Sequence, residues 1–128
     1  GGRGTSAAGR TTGSCTLAHA PPVLFVELSR HTESNHEVMN LCEVSFPGSL
    51  SMKDREYELT GVVMRSGLYS HTGHYWVAQR HNDTWHCIND EEITKLPVQS
   101  DPNIAHALDA LNNSCLLVYA DTKALLKL

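Results

Sequence analysis

Asn82-Asp83 is a turn signal, and it stands between residues 75–79 and 85–88, two runs rich in aromatic, β-branched or apolar side chains. That arrangement constrains the chain more than any other stretch: residues 70–93 must contain a β-hairpin. With Asn82 and Asp83 at its tip, Ala78 opposes Cys87, Trp76 opposes Asn89 and His74 opposes Glu91. A four-residue tip from His81 to Thr84 keeps the same register. Alternation then puts His74, Trp76 and Ala78 on one face with Trp85, Cys87 and Asn89, and turns Asp90 the other way. His74 and Asn89 become diagonal neighbours with Cα atoms roughly 7–8 Å apart, within reach of an imidazole and a carboxamide. A single bulge would bring Asp90 there instead.

An imidazole held by a side-chain acceptor keeps one tautomer and offers its other nitrogen as a base, the arrangement of Cys-His-Asn proteases. Spacing alone leaves a second possibility open, a surface hairpin whose His and Asn are merely solvated. The surrounding residues favour the first. Thr72-Gly73-His74-Tyr75, a strand, Trp85, then Ile88-Asn89-Asp90 closely resembles the histidine box of ubiquitin-specific proteases. Residues 21–30, beginning Pro21-Pro22-Val23-Leu24, resemble that family's Leu-Pro strand ending in Arg. Val44-Ser45-Phe46-Pro47, residues 57–63 and residues 115–119 resemble three further family segments, in the family's order.

The resemblance implies an α+β, mainly antiparallel β fold: the palm-like sheet of a papain-like cysteine protease with one short helix and the helical nucleophile subdomain missing. It implies that residues 20–121 form the palm region, between a flexible tail at 1–19 and a C-terminal tail at 122–128. In such enzymes a Cys thiolate attacks the carbonyl of ubiquitin's C-terminal Gly, giving an acyl-enzyme that water hydrolyses. Carried onto this chain, His74 is the general base, Asn89 holds its ring and Asp90 is an auxiliary polar contact. Gly73 leaves room for a narrow Gly-Gly tail beside the base. Tyr75 belongs to the packing under that channel or contacts the substrate. Ubiquitin or a ubiquitinated protein is the implied partner, no cofactor is implied, and the cytoplasm or nucleus is the implied location.

The nucleophile is not legible. Gly13-Ser14-Cys15-Thr16 matches the family's Gly-Asn-Thr-Cys-Tyr box poorly, and Ala20-Pro21-Pro22 stops any helix that Cys15 might open. Cys87 lies roughly 13 Å along the strands from His74, too far for a base that must approach the proton it takes. It is read as a packing residue. The chain by itself is therefore expected to be inactive, the C-terminal part of a longer deubiquitinating protease. One alternative is a noncatalytic remnant that binds ubiquitin or another protein, and another is a plain structural β-rich domain.

Composition narrows the rest. With 128 residues, 41% of them apolar, the chain can bury one core. A formal charge of −4 gives no electrostatic footprint for nucleic acid or an anionic membrane surface. Its apolar runs fall far short of the roughly 20 residues that span a bilayer. Four widely spaced cysteines without a Cys-x-x-Cys suit a reducing compartment and speak against a disulfide scaffold or a zinc ribbon. His71, His74, His81, His86 and Cys87 are dense in sequence, but alternation and distance keep them from one metal centre. The first residue is Gly and no signal peptide follows, so the chain is read as a fragment.

Along the chain, residues 1–14 hold only Gly, Ser, Thr, Ala and Arg and are expected to be flexible. Buried strands are expected at 23–28 and 116–120, a strand at 41–46 closed by Pro47-Gly48, and a central strand at 57–64. Residues 31–39 and 49–55 read as connections, 65–72 as the loop into the histidine box, and 92–96 as a short strand. In that loop the family's His-x-Gly is replaced by Arg65-Ser66-Gly67. A helix is expected over 101–111, capped by Asp101 and stopped by Asn112-Asn113, and a last helical turn over 121–128. Without its helical partner, one sheet face should carry a contiguous apolar patch larger than the few hundred Å² usual for monomers.

Overall fold

A computed structural model describes residues 20–32, 38–97, 103–121 and 123. The elements run β1 (Val23–Glu27), β2 (Ser49–Met52), β3 (Arg55–Ser66), β4 (His74–His81), β5 (Thr84–Asn89), β6 (Glu92–Pro97), α1 (Ile104–Ala107) and β7 (Ser114–Asp121). All pairings are antiparallel, in the order β1-β7-β3-β4-β5-β6 with β2 beside β3. The 12-residue β3 organises the sheet. One of its edges takes β7, and the other is shared by β2 along Arg55–Glu58 and β4 along Gly61–Ser66.

The strand pairings give the two faces different work. Val26, Leu117, Val62, Ala78, Cys87 and Thr94 form one cross-strand row on the packed face. Tyr57, Leu59, Met64, Trp85 and Tyr119 extend the core there, joined by Ile104, Ala105, Leu108 and Ala110 of the helical segment. On the other face the corresponding row is Glu27, Leu116, Val63, Val77, Ile88 and Ile93. The five apolar members of that row, with Val118 and a 64% exposed Phe25 beside them, lie contiguously on the open face.

Several elements differ from the sequence expectation. Residues 41–46 are not a strand, because their backbone groups bond elsewhere. Arg30 Nη1 donates to Cys42 O at 2.6 Å, Asn112 Nδ2 to Leu41 O at 2.6 Å, and Val44 N–H to Leu111 O at 2.8 Å. Residues 49–52, read as a connection, are β2, joined to β3 by a turn at Lys53 and Asp54 with φ of 52° and 66°. Two left-handed residues in a two-residue turn match the right-handed twist of a hairpin. β1 is not buried on both faces but stands at the edge of the described sheet, pairing among the described residues with β7 alone.

The helix is shorter than expected. Asn103, not Asp101, caps it, its Oδ1 accepting from His106 N–H at 3.3 Å. Asp109 adopts φ 56° and ends the run, a conformation its short polar side chain tolerates. Turning there lets both Leu108 and Ala110 reach the core. Asp101 lies outside the described residues, as do the 1–19 tail with Cys15 and, apart from Asp121 and Lys123, the 121–128 turn. Among the described residues no helix is long and apolar enough to cross a membrane.

Candidate active site

The hairpin closes on the expected register, with Ala78 opposite Cys87 and His81 opposite Thr84. Regular β4–β5 pairing ends at Val77–Ile88. Below it His74 is paired on its other side with Ser66 of β3, and Asn89 with Glu92 of β6. Glu91 therefore does not oppose His74 in the ladder. It lies with Asp90 in the turn between β5 and β6, where Asp90 adopts φ 54°.

His74 Nε2 stands 2.6 Å from Asn89 Oδ1. A carboxamide oxygen only accepts, so Nε2 carries the proton and Nδ1 is left with its lone pair. The ring is half-exposed at 44% and stacks on Trp76, with centroids 6.0 Å apart and planes 21° from parallel. Trp76 covers one side of the imidazole and Asn89 fixes its edge, so the open nitrogen is the one able to take a proton.

Asp90 does not point away, as strand alternation would have it. The left-handed turn swings its carboxylate to 3.7 Å from the same Nε2. That is beyond a hydrogen bond, and the side chain is 78% exposed, so its contribution is a screened charge facing the imidazole rather than a second anchor.

Gly73 lies immediately before β4, where a Cβ would come within 2.6 Å of Arg65 Nη2 and 2.7 Å of Ser66 O. Its smallness is thus required inside the chain itself. Tyr75 is not packed beneath His74. Its ring is 62% exposed, one residue out of phase with His74 and Trp76, with Arg65 Cζ 5.8 Å from its centroid. Sequence reasoning missed Arg65, buried with only 8% of its surface exposed, although a lone charge ending the run Val62-Val63-Met64 was the available signal.

Cys87 and Cys115 are not prepared as nucleophiles. Burial pushes both Cys87 and Cys115 up, and Cys115 Sγ donates to Val63 O at 3.3 Å. Cys87 packs against the core opposite Ala78. Among the described residues no group of three or more His, Cys, Asp or Glu side chains is placed to hold a metal.

A family-level comparison matches residues 9–119 to ubiquitin carboxyl-terminal hydrolase. The chain belongs to the ubiquitin carboxyl-terminal hydrolase family. It is 30% identical over 101 residues to ubiquitin carboxyl-terminal hydrolase 11 of Schizosaccharomyces pombe, and 33% identical over 93 residues to ubiquitin carboxyl-terminal hydrolase 48 of Danio rerio. Those alignments cover 77% and 62% of this chain, but only 27% and 9% of the relatives. The chain thus spans about a quarter or less of their lengths. Among solved structures, a chain of the SAGA DUB module bound to monoubiquitin superposes with a TM-score of 0.61 at 25% identity, covering 79% of this chain and 23% of that one. An essential yeast splicing factor superposes at 0.62 with 16% identity over 82% of this chain and 26% of its own, a likeness of fold alone. The mainly antiparallel sheet with one short helix is accordingly part of the papain-like fold of the hydrolase family.

Proposed function

We propose that this chain supplies the general base of a thiol-dependent deubiquitinase, with His74 as the base, Asn89 as its holder and Asp90 as an outer charge. The observation that carries it is the 2.6 Å contact between His74 Nε2 and Asn89 Oδ1, which leaves Nδ1 open. In the proposed reaction Nδ1 takes the proton of a cysteine thiol from outside the described residues. The thiolate adds to the carbonyl carbon of ubiquitin's C-terminal Gly, and the C–N bond breaks as the imidazolium returns the proton to the leaving amine. Water, activated by the same nitrogen, then cleaves the thioester. Gly73 directly precedes the base, and the exposed Tyr75 ring follows it on the other face of β4. A reducing location such as the cytoplasm or nucleus suits the free thiols of Cys42, Cys87 and Cys115.

The test is labelling of the longer protein carrying this chain by ubiquitin with a C-terminal electrophile. The wild type should form the covalent adduct, and His74→Ala should form it at least about a hundredfold more slowly. A folded wild type that remains unlabelled overturns the assignment. Ubiquitin binding without labelling would mark a noncatalytic binder instead.

A further inference from the structure

β3 ends in Arg65-Ser66, and β4 begins with His74-Tyr75 directly opposite them, so residues 67–73 form a closed loop between the last rung and the base. The loop wraps a guanidinium. Arg65 Nη1 donates to Gly67 O at 3.2 Å, and Nη2 donates to Tyr69 O and Thr72 O, each at 2.6 Å. At one end a Cβ on Gly67, whose φ is +121°, would meet Thr72 O at 2.8 Å. At the other, a Cβ on Gly73 would meet Arg65 Cζ at 2.7 Å. Both glycines are demanded by how closely the loop draws in. From outside, Met39 N–H reaches Leu68 O at 2.6 Å, and Val38 bridges Tyr69.

A guanidinium carries five N–H donors in one plane and so can gather several carbonyls at once, which the diverging donors of an ammonium cannot do with the same geometry. The acceptor nearest the site, Thr72 O, belongs to the residue two before His74. The His74 ring is half-exposed, and its 2.6 Å contact with Asn89 crosses from one strand to the next. Whatever fixes the start of β4 therefore fixes that contact.

We propose that Arg65 is the positioning residue of the site: by gathering the carbonyls of Gly67, Tyr69 and Thr72 it anchors the loop so that His74 meets Asn89. Arg65 touches neither the base nor its holder, and its role in turnover rests on His74 being the base. It also gives a physical use to the arginine standing where the family pattern has histidine.

The experiment uses isotope-labelled chain, as wild type, Arg65→Lys and Arg65→Met. Three NMR readouts are taken: the cross-peak between the His74 ring and the Asn89 side-chain amide, hydrogen exchange of the amides in residues 68–73, and the Trp85 indole signal as a core reporter. Arg65→Met should lose the cross-peak and exchange those amides at least tenfold faster while the indole signal stays in place. Arg65→Lys should lose about half of the cross-peak intensity. A full cross-peak in folded Arg65→Met overturns the proposal, even if the loop exchanges faster. Should Arg65→Met fail to fold, Arg65→Lys decides: a weakened cross-peak supports the proposal and wild-type intensity overturns it. Failure of the ubiquitin electrophile to label the longer protein would remove His74 as base without changing these spectra, so the two failures are distinguishable.

Discussion

At the scale of single residues, the site depends on one acceptor atom. Asn89 Oδ1 takes the proton-bearing edge of His74, and among the described residues the next polar group toward that nitrogen is Asp90, at longer reach. Within the roughly 10²–10⁴ range that a positioned base contributes, Asn89→Ala in the longer protein should fall at the low end of loss and His74→Ala at the high end. Asn89→Asp, which keeps an acceptor, should retain more labelling than Asn89→Ala, while Asp90→Asn should change the rate less than either. Adduct formation with the ubiquitin electrophile ranks all four. The pairing of His74 with Asn89 was legible in the sequence because a period of two and a marked turn leave few registers. The direction of Asp90 was not, because alternation holds only while the strand lasts, and the turn begins one residue earlier than the run of side chains suggests.

Among the elements, the hairpins show which turn chemistry can be read directly. Asn82-Asp83 announced itself, whereas the Lys53-Asp54 turn did not, since its strand β2 is the serine-rich Ser49-Leu50-Ser51-Met52 with no β-branched residue to mark it. Both of its turn residues nevertheless sit at positive φ, where a Cβ is disfavoured. Replacing them with Asn-Gly should stabilise the chain by on the order of 1 kcal/mol, read as a higher urea midpoint at unchanged slope. The opposite error occurred at residues 41–46, whose apolar alternation looked like a strand but whose hydrogen bonds go to Arg30, Asn112 and Leu111. A long-range side-chain partner of this kind leaves no local signature. For α1 the apolar spacing was right, yet Asn103 and Asp109 trimmed the helix from both ends.

For the molecule as a whole, one packed face and one open face account for the distribution of stability. Trp85, almost wholly buried on the packed side, should cost about 3–5 kcal/mol when replaced by Ala. Burial also pushes the Tyr119 hydroxyl from 10.0 up to about 12, while that hydroxyl donates to Pro47 O at 2.7 Å. The folded chain therefore holds this proton more tightly than the unfolded one. Its stabilising effect is complete below pH 10 and is lost as pH climbs from 10 towards 12. Urea midpoints across that window should fall for the wild type and fall less for Tyr119→Phe, which starts lower by about 1 kcal/mol for the missing hydrogen bond.

The rung joining His81 to Thr84 reaches further than its position implies. It lies seven residues up β4 from His74, ~24 Å at strand rise, and yet it dictates which carboxamide the imidazole will find. Lengthening the tip by one residue, if the strands accommodate it by sliding, would carry Asn89 round to the far surface and take from His74 its partner without substituting either residue. Tolerance to insertion, ordinarily greatest at an exposed bend, should here be among the lowest in the chain.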